Sequence, residues 1–258
     1  MADLPDANNG EIDMFYQMAK NKTVNALQDG YTGLAYVCRG VLGYETSEFV
    51  LQAQAASAIL SDIRINGYPL VVTWETTIDT KNTNIPWIHG GDYTAIFNNN
   101  KQSIIQTLDP NNDACIVGIE TSQGLGAANI LGLAAECGAC TIEYNKLFMV
   151  GTNIDDSITF ATILHEVLHL FCALHTTTGV MRPYMTEDSN MAMIPASTIA
   201  LIENMLSQNG APCVTLASDF DSYSRPEKND PDDSDDTNIY IALGVSLASV
   251  SIVGFVLI

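Results

Sequence analysis

Short β-branched, apolar runs alternate along this chain with stretches whose apolar residues recur at helical spacing, and that alternation predicts an α/β domain. Tyr31–Cys38 (YTGLAYVC) sets apolar and aromatic residues between glycines and predicts a strand. Ser47–Ile65 has helical spacing, Thr46 or Ser47 for an N-cap and Asn66-Gly67 for a stop, so it predicts a long amphipathic helix. Tyr68–Thr77 (YPLVVTWETT) is rich in β-branched residues and predicts a second strand. Gly91–Leu108 mixes a polar Asn run with a helix-like stretch around Ser103–Leu108. Ala114–Ile119 (ACIVGI), bounded by turn-forming residues, predicts a third strand; Gly132–Ile142 and Leu147–Val150 predict a fourth and a fifth. Ile158–Cys172 is the strongest helical pattern, with Asp155, Asp156 and Ser157 as N-cap candidates. Pro195–Gln208 predicts a closing helix that stops at Asn209-Gly210.

The last stretch of the chain has a different character. Ile239–Ile258 is an unbroken run of twenty uncharged residues, long enough at ~1.5 Å per residue to span the ~30 Å hydrocarbon core, and it predicts a C-terminal membrane helix. No Lys or Arg follows Ile258, so both a tail anchor and a glycolipid-attachment signal are open. Residues 216–238, rich in Asp, Ser and Pro, have the composition of a solvated linker. The expected organisation is an N-terminal extension over residues 1–30, a domain over 31–215, the acidic linker and the membrane segment at 239–258.

Composition narrows the function. Thirty acidic side chains face only ten Lys and Arg in 258 residues, and a net charge of -20 without a basic stripe argues against a nucleic-acid partner. Hydrophobic residues at 47% are ample for a core. The six cysteines (Cys38, Cys115, Cys137, Cys140, Cys172 and Cys213) allow many pairings, and spacing does not choose among them. Cys137-Gly-Ala-Cys140 has the spacing of a redox pair or half a zinc site, but no second such pair exists, which favours a structural role. With the Asn21-Lys22-Thr23 sequon, the cysteines point to an extracytoplasmic domain, although Met1–Gly30 lacks the pattern of an export signal.

Three of the four histidines fall within eleven residues: His165-Glu166-Val167-Leu168-His169-Leu170-Phe171-Cys172-Ala173-Leu174-His175. On a helix, His165 and His169 share one face a turn apart, so both imidazoles reach a single ion, with Glu166 beside that ion as a base rather than a ligand. His175 would sit ~9 Å further along the axis if the helix continued, so the chain must turn back near Cys172 for it to join. Three imidazoles on a zinc ion leave a fourth position for water, as in catalytic rather than structural sites. His89 is left over and is read as a packing or solvent residue.

This string resembles the extended HExxHxxGxxH signature of the metzincin zinc endopeptidases, and Gly179-Val180-Met181-Arg182-Pro183 resembles their Met-turn. The likeness runs from about Tyr31 to Cys213 and is nearest the adamalysin (reprolysin) family. It implies a twisted mixed sheet with a long amphipathic helix, an active-site helix carrying HExxH and a C-terminal helix. It implies His165, His169 and His175 as ligands of one catalytic Zn2+, Glu166 as the catalytic base, Met181 beneath the metal, and peptide-bond hydrolysis in extended polypeptides. Gly132, Leu133 and Ala134, within the segment Gly132–Cys140, would form the edge strand that pairs with substrate, and Arg182–Tyr184, including Pro183 and Tyr184, would wall the pocket beyond the cut bond. Zinc in such a site lowers the pKa of water to ~7 and polarises the scissile carbonyl. Two residues depart from the pattern. Cys172 stands where the family has glycine, and a left-handed residue bearing a side chain costs ~1–2 kcal/mol. Only five residues separate His175 from Met181, an interval nearer the matrixins. A competing reading is an adhesion or binding module with structural zinc and lost catalysis; Cys172 and the lack of a visible pro-segment favour it, and Glu166 opposes it.

Overall fold

Leu147–Gly151 is buried at every position, as a strand covered on both faces must be. The computed structural model describes residues 14, 16–21, 34–42, 46–65, 67–79, 93–111, 114–121, 130–139, 145–151, 156–183, 193–209 and 214–216. Its strands are β1 (Leu34–Leu42), β2 (Arg64–Ile65), β3 (Tyr68–Asp79), β4 (Val117–Thr121), β5 (Gly132–Ala134), β6 (Leu147–Gly151) and β7 (Val214–Leu216). Its helices are α1 (Thr46–Leu60), α2 (Tyr93–Leu108), α3 (Asp156–Leu170) and α4 (Ala196–Asn209). The strands form one mixed sheet in the order β2-β3-β1-β4-β6-β5. β1 runs parallel to β3 and β4, and β4 parallel to β6. β5 reverses direction and pairs antiparallel with β6 through Gly132↔Val150 and Ala134↔Phe148. β7 pairs antiparallel with the start of β1.

Alternate residues of the central strands enter separate cores, as the two-residue period of a strand requires. Phe148, Val150 and Ala134 join α1, α3 and α4 in the larger core, with Leu70, Val72 and Trp74 of β3. Leu147, Met149 and Leu133 join Phe97, Ile104, Ile105 and Leu108 of α2 in the smaller one. Ala53, Ala55, Ala56 and Ala58 of α1 are buried and keep that helix close to its neighbours. Specific polar bonds cross this packing: Trp74 Nε1 donates to Ser57 Oγ (2.6 Å), and Gln52 Nε2 donates to Asp156 Oδ1 at the start of α3 (2.9 Å). Tyr16 and Ala19 lie in the same core, with the Tyr16 ring 5.3 Å from that of Phe160, so part of the expected N-terminal extension packs against α3.

Several elements differ from expectation. α1 ends at Leu60 rather than Ile65, because Arg64–Ile65 pairs with Tyr68–Pro69 in a hairpin whose turn carries Gly67 at φ 86°. α2 begins at Tyr93, far ahead of Ser103. Its Asn98–Asn100 run has weak helix propensity, but Phe97, Ile104, Ile105 and Leu108 fall on one buried stripe and tertiary packing overrides it. β5 is three residues long, not the eleven of Gly132–Ile142. No described helix is long and apolar enough to cross a membrane; the Ile239–Ile258 run and the 216–238 linker, apart from Leu216 of β7, lie outside the described residues.

A buried ion pair ties α2 to β6. Lys146 Nζ lies 2.5 Å from Asp109 Oδ2, with both side chains almost completely buried, and also donates to the Ala114 carbonyl (2.6 Å). The same carboxylate oxygen accepts the Ala114 amide (3.1 Å). Removing one partner leaves the other charge stranded in the core, so Asp109→Ala is expected to cost about 3–5 kcal/mol, read as a lowered urea midpoint.

Candidate metal centre

α3 is apolar around nearly its whole circumference and is buried from Thr159 to Leu170, which fixes its side chains in place. Asp156 lies in its first turn, where a negative charge suits the helix dipole. The helix ends in a Schellman motif. The Ala173 amide donates to the Leu168 carbonyl (3.0 Å), the Cys172 amide donates to the His169 carbonyl (2.9 Å), and Cys172 adopts φ 68°. The reversal required for His175 therefore occurs at Cys172, in the left-handed conformation that makes its side chain costly.

The three imidazoles converge. His169 Nε2 lies 2.9 Å from His165 Nε2 and 3.2 Å from His175 Nε2, and the three ring centroids are 4.6–5.3 Å apart. The His165 Nδ1 faces the Val180 carbonyl at 2.6 Å, and the His169 Nδ1 faces the Ala173 carbonyl at 2.7 Å. A carbonyl only accepts, so both Nδ1 atoms carry the proton and the neutral rings turn bare Nε2 lone pairs toward one another. Facing lone pairs at such distances repel unless a cation lies among them. Tetrahedral nitrogen ligands at ~2.0–2.1 Å stand about 3.3 Å apart, close to the spacing found here. The chain thus brings His165, His169 and His175 close enough to hold one metal ion.

Burial sets the ionisation of the metal-free site. It lowers the pKa of His165 well below the ordinary value, helped by repulsion from His169; it lowers that of His169 to about 4 and also lowers that of half-exposed His175. All three shifts favour the neutral, ligating form at pH 7. Glu166 is fully buried, neither carboxylate oxygen has a hydrogen-bond partner among the described residues, and its pKa is raised well above the carboxylate range by desolvation. The two kinds of group oppose each other in pH dependence. For the histidines the unfolded chain binds more protons between its pKa of ~6.5 and the depressed folded values, so their contribution is full above ~6.5 and falls as pH falls toward 4. Glu166 acts in the reverse sense, since its folded pKa is raised. In chelator-treated Glu166→Gln, which lacks that opposing contribution, the urea midpoint is expected to fall steadily from pH 7 to pH 4.

Gly132 of β5 lies against Glu166: a Cβ on this glycine would fall onto the carboxylate, 2.7 Å from Cγ. Only glycine lets the strand approach so closely. Leu133 and Ala134 turn their side chains into the two cores, so only their backbone is available to a ligand. No described strand pairs with the outer edge of β5. Beyond Ala134 the chain leaves the sheet and caps α3 instead, with the Cys137 amide on the His169 carbonyl (2.9 Å) and the Ala139 amide on the Leu170 carbonyl (3.0 Å).

Met181 is fully buried, and its carbonyl accepts the amide of Thr176, the residue after His175 (2.8 Å). Gly179, at φ 69°, turns the chain so that Val180 presents its carbonyl to His165. Arg182 and Pro183 are partly buried, whereas Tyr184 and His89 lie outside the described residues. Cys137 is disulfide-bonded to Cys172 rather than paired with Cys140, which corrects both the redox-pair and the half-zinc-site alternatives for Cys137-Gly-Ala-Cys140. That bridge was invisible in the spacing; its one trace in the sequence is the cysteine at the turn position.

No protein-family model matches the chain, and no curated protein matches it. Among solved structures, one titled "Structure of a chaperone-substrate complex" is similar at a TM-score of 0.42 and 12% identity, over 68% of this chain and 35% of that one. The chain therefore spans about a third of that structure's length, and at this level the likeness bears on neither fold nor function.

Proposed function

We propose that this chain is a zinc-dependent metalloendopeptidase of the metzincin type, with a zincin-like catalytic domain. The observation that carries the reading is the convergence of three Nε2 atoms, together with the buried carboxylate of Glu166, the residue after the first histidine, which has no hydrogen-bond partner among the described residues. A purely structural metal site has no use for such a group, and a desolvated carboxylate is costly to keep unless it does chemistry.

His165, His169 and His175 would hold the ion, and the Val180 and Ala173 carbonyls orient the first two rings. Zinc, when bound, supplies Lewis acidity toward water and the scissile carbonyl. Glu166 takes the proton of the attacking water and passes it to the leaving amine. A cation held by its helix neighbours favours the ionised form that this role needs, against the effect of burial. An extended polypeptide would lie along the outer edge of β5, held by main-chain bonds, with Pro183 and Tyr184 beside the residue after the cut bond. The run at 239–258 would anchor the domain to a membrane, with the catalytic domain on the extracytoplasmic side.

The test is cleavage of a disordered protein by the purified chain. Fragments are expected with zinc present, loss of cleavage with a zinc chelator, and recovery when zinc is restored. Undiminished cleavage in chelator, or none by folded and zinc-loaded protein, contradicts the proposal.

A further inference from the structure

The segment between the second and third histidines is short, and something must hold its turn. Cys172 occupies the left-handed position of that turn at φ 68°, and Cys137, at φ 56°, is its disulfide partner, with Cα atoms 4.2 Å apart. Two left-handed residues on separate segments, both bearing side chains and joined by one bridge, are unusual, since glycine is the ordinary occupant. The bridge joins two parts of the candidate centre. On one side, the Cys172 turn delivers the Ala173 carbonyl to His169 Nδ1 (2.7 Å) and sends the chain on to His175. On the other, Cys137 follows the edge strand whose Gly132 bears on Glu166, and its amide binds the His169 carbonyl (2.9 Å).

We infer that the Cys137–Cys172 disulfide is a positioning cross-link that substitutes for a turn glycine, and that it makes the metal centre sensitive to dithiol reductants. The inference rests on reading the three histidines as a metal centre. A dithiol thiolate attacks one sulfur of the bridge, forming a mixed disulfide and releasing the other cysteine as a thiol. The reductant's second thiol then closes its own disulfide and releases the remaining cysteine. One S–S bond breaks and one forms, and two electrons and two protons pass from the reductant to Cys137 and Cys172. Exposed Cys137 places one end of the bridge within reach of solvent. Once the bridge opens, Cys172 can leave the left-handed conformation. The Ala173 carbonyl then no longer fixes the His169 ring, and His175 loses its register.

The experiment is zinc affinity of the full chain, measured by competition with a chromophoric chelator before and after dithiol treatment, with far-ultraviolet circular dichroism recorded alongside. Reduction is expected to weaken zinc binding by ~10- to 100-fold, the range for loss of groups that orient metal ligands, with the helical signal kept. In Cys137→Ser combined with Cys172→Gly, affinity should not respond to dithiol, because glycine holds the turn unaided. In Cys137→Ala combined with Cys172→Ala, binding should be weak with or without dithiol. Equal affinity before and after reduction overturns the cross-link's role alone, as does a Cys137→Ser, Cys172→Gly variant that still responds to dithiol. Loss of the whole helical signal on reduction overturns a local positioning role. Absence of zinc binding by the oxidised chain overturns the metal centre and the cross-link's role with it.

Discussion

Glu166→Gln is expected to slow peptide hydrolysis by about 10²- to 10⁴-fold, the contribution of a positioned general base, while zinc content stays at the level of the parent chain. The two results belong together. Glutamine matches the shape of glutamate against Gly132, so the packing of α3 on β5 is preserved and the change is confined to proton transfer. Because both carboxylate oxygens are buried without a partner, the substitution removes no hydrogen bond made within the described fold. It also takes away a desolvated ionisable group, so the metal-free variant should be at least as stable as the parent at pH 7. Turnover of disordered substrate, metal analysis and a urea melt on the same preparation check all three parts. Parental turnover in the variant would contradict the general-base role of Glu166.

The second large effect is expected from the ligands. His169→Ala removes the imidazole whose Nε2 lies 2.9 Å from that of His165 and 3.2 Å from that of His175, and it should weaken zinc binding by well beyond the ~10- to 100-fold that loss of an outer partner costs. Hydrolysis should be lost with the ion. Ligand that binds only the folded state raises stability by ~2.7 kcal/mol at a hundred times its dissociation constant, so zinc should raise the melting temperature of the parent and leave that of His169→Ala unchanged. Thermal melts with and without added zinc give this comparison directly.

The site was more legible in the sequence than the scaffold around it. His165 and His169 follow from helical geometry alone, and the need for a reversal near Cys172 follows from the position of His175; both are local rules acting over a few residues. Apolar runs such as Leu147–Gly151 declare themselves because a doubly covered strand has no polar face. Elements that depend on partners far along the chain stayed hidden. β7 is three residues that become a strand only by pairing with β1, and the first half of α2 is helical because Phe97 reaches the smaller core despite the Asn run that follows. The short β5 is a similar case: the expected strand runs on past Ala134, yet the carbonyls of His169 and Leu170 claim the amides of Cys137 and Ala139 for the end of α3. The Cys137–Cys172 bridge depends on tertiary proximity, which spacing does not encode.

The claim on which the rest depends is that three converging imidazoles share one divalent cation, and metal analysis of the folded chain at neutral pH tests it most directly. The account predicts about one tightly held zinc ion per chain, lost on substitution of His165, His169 or His175. A chain that folds with its helical signal intact, takes up no zinc from a stoichiometric supply and melts at the same temperature with and without the ion would contradict it.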